Sequence, residues 1–334
     1  MKNRWKNVIA MMAILGLGAV GCADNPGSDE VAESELDEQG EASEQELDTL
    51  AQQAPGFPFP WRRDGGFPWP FPRRDAGTDA GPGPGPDAGP QPGGGSLPPV
   101  TSVEVNGPFP VTIEQNVGPN RGWVVRPTNL GQNGLKHPIF TWGAGAGTNA
   151  SNYRDHLTRI ASHGFVVEAH ASNGNGSDHR GAIDWLVAQN NNRNSPYYQK
   201  LDITKIASGG HSQGSISTFA MADDPRLSTT IHVAGGSFDG NGYRKLRNPT
   251  AMFLGQNDTL ATPNGERDYQ RSTVPTFLTV MSGVDHIQAA RQALGPTVAW
   301  LRWHLAGETE RRAQFVGANC EYCRGKYRSQ SKGL

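Results

Sequence analysis

Ser212, Asp258 and His286 are the residues of this 334-residue chain whose types and positions can do chemistry together. Ser212 is the centre of a Gly-x-Ser-x-Gly core, Gly210-His211-Ser212-Gln213-Gly214. An apolar run, Ile203 to Ala207, leads into it, and a predicted helix, Ser215 to Met221, leads out. A strand–turn–helix of this kind holds the serine on a strained turn, with its hydroxyl pushed above the end of a sheet. Glycine is needed two residues before and two after it, because a Cβ there would strike the neighbouring strand or helix. The five letters alone also describe an ordinary turn in a chain with 43 glycines. The flanking pattern and the downstream residues argue against that plainer reading.

A serine hydroxyl is a weak nucleophile at neutral pH. It needs a base, and the base needs an orienting acid. One large hydrolase class places them in the order serine, acid, histidine, each after a later strand. Asp258 follows the run Ala251 to Leu254, and His286 follows Thr276 to Met281, both on loops at strand ends. Asp285 and Asp239 compete with Asp258 as orienter, but a sequence neighbour such as Asp285 rarely reaches the far ring nitrogen. His304 lies in an amphipathic helix and reads as a surface or packing residue; His163 reads as a helix-end residue. His211 is expected to line the floor of the cleft. The developing oxyanion needs two backbone N–H groups. Gln213 supplies one, and the turn Gly143-Ala144-Gly145 is expected to supply the other through Ala144.

The elements that must position these groups alternate in type. Val100 to Val105, Val111 to Glu114, Trp123 to Arg126 and Pro138 to Trp142 read as strands. Ala150 to Ser162 has helical spacing, with Tyr153, Leu157 and Ile160 on one face. Phe165 to Ala169 is a near-continuous apolar run, the mark of a strand covered on both faces. Gly181 to Gln189 and Gly265 to Gln270 read as helices, and Thr230 to Ala234, Ala251 to Leu254 and Thr276 to Met281 as strands. A last apolar repeat from Ile287 to Leu305 should be divided by Gly295-Pro296. The alternation predicts an α/β fold, a mostly parallel twisted sheet with helices on both faces.

The segments Phe140-Thr-Trp-Gly-Ala-Gly-Ala-Gly-Thr148, Leu157-Thr-Arg-Ile-Ala-Ser-His-Gly-Phe-Val-Val167 and the Ser212 elbow resemble the PET hydrolase/cutinase-like branch of the α/β-hydrolases. The resemblance extends through Gly255-Gln-Asn-Asp-Thr-Leu-Ala261 and Trp300-Leu-Arg-Trp-His-Leu305, over roughly residues 99 to 325. It implies Ser212, Asp258 and His286 as a triad, Gln213 and Ala144 as oxyanion donors, and ester hydrolysis without a cofactor or metal. Three departures stand out: Ala144 where the family usually has an aromatic residue, Gln213 where it has Met, and no Trp in Ala234-Gly-Gly-Ser-Phe-Asp239. The resemblance therefore carries ester cleavage and not an aromatic polyester substrate. Phe238 and Trp142 are the aromatic candidates to line the substrate site. An esterase or lipase for acylated polysaccharide or glyceride is the alternative within the class. A non-catalytic envelope-binding lipoprotein of the same fold is the alternative outside it.

The remainder of the chain reads as export and tethering. Residues 1–21 have the charged start and short apolar run of a secretory leader, with fourteen apolar-run residues where a span needs about 20. Ala19-Val20-Gly21-Cys22 resembles a lipobox, which makes Cys22 the expected lipidation site and membrane anchor of an exported, envelope-bound protein. Residues 22–96 form the expected tether. Eleven Asp and Glu fall between Asp24 and Asp48, a composition that cannot offset its ordering entropy. Two Phe/Pro/Trp-Arg-Arg phrases and Gly-Pro repeats follow, expected as an extended spacer, with contact to envelope lipid or polysaccharide as the alternative. The whole chain carries −2, leaving about +6 beyond residue 61. That excess is too small, and too free of aromatic–basic pattern, to indicate nucleic acid. Residues 97–317 are the expected catalytic domain, monomeric and acting on an ester, and 318–334 a tail. Cys320 and Cys323 in that tail are expected as a disulfide rather than a zinc half-site or redox motif.

Overall fold

A computed structural model of the protein describes residues 97–334. The expected leader, the lipidation at Cys22, the acidic stretch and the aromatic–proline repeats lie outside the described residues. In chain order the elements are β1 (Val111–Val117), β2 (Gly122–Pro127), β3 (His137–Gly143), α1 (Arg154–Ser162), β4 (Val166–His170), α2 (Ser177–Asn191), β5 (Leu201–His211) and α3 (Gln213–Met221). There follow β6 (Leu227–Val233), β7 (Thr250–Gly255), α4 (Thr262–Arg271), β8 (Thr276–Met281), α5 (Gln288–Gln292), α6 (Leu294–His304), α7 (Arg312–Phe315) and β9 (Tyr327–Lys332).

The strands form one sheet in the order β1-β2-β4-β3-β5-β6-β7-β8-β9. The run from β4 to β8 is parallel. Antiparallel β1 and β2 complete one edge, and antiparallel β9 the other. Strands β3, β4, β7 and β8 are buried at every position, because side chains of alternate sign of the pleat meet a different helix layer. In β7, Ala251 and Phe253 pack with Val298 and Leu301 of α6, while Met252 and Leu254 pack with Phe219 of α3 and Tyr269 of α4. This is the mostly parallel α/β sheet with helices on both faces that the alternation predicts.

Three local expectations are corrected. Val100 to Val105 is not a strand. Its polar backbone groups are taken by side chains instead: Glu308 accepts from the Val100 N–H, Arg311 donates to the Val100 carbonyl, and His163 bonds the Val105 carbonyl. The buried Arg302 and Arg311 both pair with Glu308, so the start of the domain is fastened to its last helices by charge. The helix after β8 is divided at Ala293 rather than at Gly295-Pro296. Pro296 sits in the first turn of α6, where a missing N–H costs nothing. Gly295 faces the Glu104 carboxylate there; a Cβ would lie 2.0 Å from it, and the flexible Glu104 side chain would have to move aside.

The third correction concerns residues 318–334. Tyr327 to Lys332 is a full sheet strand, paired with β8 from Thr276↔Lys332 to Met281↔Tyr327. Its sequence, Tyr-Arg-Ser-Gln-Ser-Lys, has no apolar alternation because an edge strand is half in water, and charge there discourages further pairing. Cys320 and Cys323 stand at disulfide distance, Cα to Cα 5.3 Å, in the turn that leads to β9.

Candidate active site

The parallel strands bring three loops together at their carboxyl ends. Ser212 follows β5 directly and has φ 53° and ψ −113°, a conformation that a side-chain-bearing residue adopts only under constraint. The constraint is the contact between the elbow and β3. A Cβ on Gly214 would lie 1.9 Å from the Gly143 carbonyl oxygen, and one on Gly210 would lie 2.7 Å from the same atom. Both glycines are thus required by backbone approach.

His286 lies on the loop after β8 and Asp258 on the loop after β7. The His286 Nε2 stands 2.8 Å from Ser212 Oγ, and its Nδ1 stands 2.7 Å from Asp258 Oδ2. The other oxygen of Asp258 accepts the N–H groups of Leu260 and Ala261 at 3.0 and 2.8 Å. Those bonds hold the carboxylate rotamer that faces His286. Asp258 and His286 are only 2% and 7% exposed, so the bond between them is sheltered from water, while Ser212 opens on the cleft. The competing orienters are elsewhere. Asp285 accepts the Gln288 N–H at the start of α5, and Asp239 accepts the Asn241 N–H on an exposed turn.

The oxyanion assignment changes on one side. Gln213 is the first residue of α3, where a helix leaves N–H groups unbonded and carries partial positive charge. Ala144, the expected second donor, is already engaged: its N–H donates to the His170 carbonyl at 2.9 Å, continuing the β3–β4 ladder. The Gly145 N–H donates to the Tyr153 hydroxyl at 3.0 Å. Ala146 is the first residue beyond β3 whose N–H has no partner among the described residues, and it lines the same cleft as Ser212. It occupies the second position of a turn closed by the Thr148 N–H on the Gly145 carbonyl. Gly147, at the third position, has φ 71°. That combination is a type II turn, which leaves the N–H of its second residue facing out.

The cleft over Ser212 has a volume of about 840 Å³. His211 lines it and also bonds two neighbouring loops. Its Nε2 bonds the His286 carbonyl at 2.8 Å, and its Nδ1 meets the Tyr153 hydroxyl at 2.8 Å. Burial, reinforced by the neighbouring His286, pushes the His211 pKa down to about 4. The neutral ring then carries its proton on Nε2, facing a carbonyl that can only accept. Nδ1 must accept from Tyr153, and Tyr153 accepts from Gly145. One directed chain therefore links the loop that carries Ala146 to the loop that carries His286.

Trp142, expected to line the substrate site, does not. It is fully buried within β3, against Phe140, Tyr153 and His156. His156 stands between it and the cleft, with ring centres 4.3 Å apart, and takes the wall position itself. Burial depresses the His156 pKa to about 3, so its ring is neutral. Phe238 is half-buried and lines a small groove on the other side of Ser212 with Ile216, Leu260 and Ala261. Tyr153, His156 and Ala146 escaped the sequence reading: Tyr153 had a sufficient explanation as a helix-face residue, and nothing in the chain marks which N–H is left free.

A cluster of metal-ligand types lies behind the elbow, where His170, Asp178 and His179 bring their ligand atoms within 4.8 Å of one another. Most of their polar atoms already have protein hydrogen-bond partners; His170 Nε2 has none among the described residues and faces Asp178 Oδ2 at 3.7 Å. His170 Nδ1 bonds Glu168 at 2.6 Å, the two His179 nitrogens face the hydroxyls of Thr141 and Thr218, and Asp178 accepts from Ser217, Ser172 and the Asn173 N–H. Burial alone would lower the His170 pKa, but Glu168 and Asp178 outweigh it and raise the value. The donor set therefore suits an imidazolium between two carboxylates, which braces β4 against α2.

A comparison with curated proteins finds no match to the chain. The PET hydrolase-like (PETase) family model matches residues 86–331. It spans the whole sheet except the end of β9, and the chain belongs to that family of ester hydrolases within the α/β-hydrolase superfamily.

Proposed function

We propose that the protein is a serine carboxylester hydrolase that works through an acyl-enzyme on Ser212. The observation that carries this reading is the unbroken line Ser212 Oγ–His286 Nε2 at 2.8 Å and His286 Nδ1–Asp258 Oδ2 at 2.7 Å. Asp258 accepts a hydrogen bond from the Nδ1–H and so leaves Nε2 with a lone pair toward the serine hydroxyl. Ser212 Oγ attacks the ester carbonyl as His286 takes its proton. The oxyanion forms against the N–H groups of Gln213 and Ala146, and His286 returns the proton to the departing alcohol. Water, deprotonated by the same imidazole, then releases the acid. Preorganised donors of this kind, already desolvated, stabilise the tetrahedral state at no reorganisation cost. None of these steps uses a cofactor or a metal.

The same reading tethers the domain to the envelope through lipid on Cys22. Its support is the basic, short apolar leader ending in Ala19-Val20-Gly21-Cys22 and the acidic and proline-rich stretch after it. Detergent-phase partition of the full chain, lost in Cys22→Ala, tests that part. Hydrolysis of p-nitrophenyl butyrate and labelling by a fluorophosphonate probe test the chemistry. Both should vanish in Ser212→Ala. Hydrolysis at parental rate in that variant would remove the nucleophile assignment, and silence of the parent toward the probe would favour a non-catalytic binding role.

A further inference from the structure

The two spaces beside Ser212 differ in size and in charge. The groove at Phe238 holds about 10 Å³, room for one water or one methyl group. The large cleft is walled by three guanidinium groups, Arg154, Arg159 and Arg291, against a single carboxylate, Asp155. Ester hydrolysis by itself requires none of them. No ion pair engages any of the three among the described residues.

Each guanidinium is also placed to keep its donors available. Arg154 is exposed and lies over the Trp123 ring, 5.2 Å from its centre. That stacking uses the face of the group and leaves the N–H edge unspent. The Nε of Arg159 is buried without a hydrogen-bond partner. That buried nitrogen is out of a ligand's reach, but the Arg159 side chain lines the cleft, and a guanidinium has further N–H donors for an anion. Arg291 is exposed on α5, the helix just after His286. The histidines that share the wall, His156 and His211, are neutral and add no competing charge.

We infer that the substrate is an ester joining a small group, of about methyl or acetyl size, to a large molecule bearing several carboxylates or sulfates. This rests on the ester-hydrolase reading of Ser212 and deepens it. The anionic part lies along Arg154, Arg159 and Arg291, and the small group sits against Phe238. Ser212 Oγ bonds to the acyl carbon, the alcohol leaves with the proton from His286, and water completes the release of acid and alcohol in equal amounts.

The test compares O-acetylated polygalacturonate with an O-acetylated neutral glucan, following acetate, and methyl-esterified polygalacturonate, following methanol. Phenyl acetate serves as a small neutral reporter. At about 0.02 M salt, kcat/KM on one of the two anionic polymers should exceed that on the neutral polymer by about tenfold or more, and the advantage should collapse near 0.5 M salt as screening shortens its range. The Arg154→Gln/Arg291→Gln double variant, both positions exposed, should lose most of the preference. The corresponding Lys double variant should keep much of it, and Arg247→Gln, on a distant surface, should keep all of it. Unmodified polygalacturonate should inhibit phenyl acetate cleavage at low salt, whereas dextran should not. Equal rates on charged and neutral polymers, or a preference that survives the Gln double variant or high salt, would overturn the inference while leaving the esterase. Absence of phenyl acetate cleavage would instead bring down the ester-hydrolase reading and this inference with it.

Discussion

The His211 ring bonds the main-chain carbonyl of His286 through Nε2 at 2.8 Å, so the residue before Ser212 holds the loop whose imidazole faces Ser212. Its other nitrogen is tied to Tyr153, and through it to the Gly145 N–H. A neighbour in sequence thereby sets the distance between groups 74 positions apart in the chain. His211→Phe should keep the packing and lose both bonds. The expected result is a fall in kcat of about tenfold to a hundredfold, since small misplacement of a reacting group is costly, with less change in KM. His211→Gln retains a side-chain N–H donor and should recover part of the loss. Equal effects of Phe and Gln on kcat would show that size alone matters there.

The triad makes a graded prediction. Ser212→Ala should lower turnover on p-nitrophenyl butyrate by about 10⁶, and Asp258→Asn by about 10⁴, because the amide favours the wrong imidazole tautomer. Asp285→Asn and Asp239→Asn should stay within about threefold of the parent, since neither reaches His286. A large loss at Asp285 would move the orienting role.

Assigning the second oxyanion donor to Ala146 leads to an unusual substitution. The second position of a type II turn accepts proline readily, so Ala146→Pro should fold while deleting only the N–H. Turnover should fall by about 10² to 10³. Ala144→Pro should instead break the bond to the His170 carbonyl and lower the unfolding midpoint. Full activity in Ala146→Pro would send the assignment elsewhere.

Close backbone contact at the elbow sets a stability limit. Gly214→Ala would place a Cβ 1.9 Å from the Gly143 carbonyl oxygen, with no flexible side chain to yield. A loss of about 2 to 4 kcal/mol is expected, by the measure of other overpacked or strained sites. Urea unfolding checks it, and a midpoint within error of the parent would show that β3 and α3 can separate cheaply.

Acid should destabilise the fold through its histidines. Burial lowers the pKa of His156, His179 and His232 to about 3 and of His211 to about 4, against about 6.5 in the unfolded chain. Between those limits the unfolded state binds protons that the folded state refuses. The stability is complete above pH about 6.5 and is lost as pH falls toward 4 for His211 and toward 3 for the other three, with a slope of up to about 1.4 kcal/mol per pH unit for each ring. His170, whose pKa is raised, opposes this with the reverse sign. The urea midpoint should therefore drop steeply from pH 7 to pH 5. A flat profile would mean that these rings take up protons without unfolding.

Ser212, Asp258 and His286, and the strands that deliver them, were legible in the chain because each follows an apolar run whose burial on both faces is a local property of its residues. The glycines at 210 and 214 were legible for the same reason: their need is steric and near in sequence. Which N–H remains free was a different matter. Ala144 looked right until strand register gave its donor to His170, and only the turn beyond it, closed by Tyr153 and Thr148, exposed Ala146. Trp142 followed the same logic, since the face of β3 it occupies is covered by α1. The polar strand Tyr327 to Lys332 had no periodicity to read, because an edge takes its structure from the β8 ladder rather than from burial. Side-chain type and spacing along the polymer thus determined the chemistry on offer, while hydrogen-bond partners and the covering of each face, which arise only when distant segments meet, decided which groups are left to perform it.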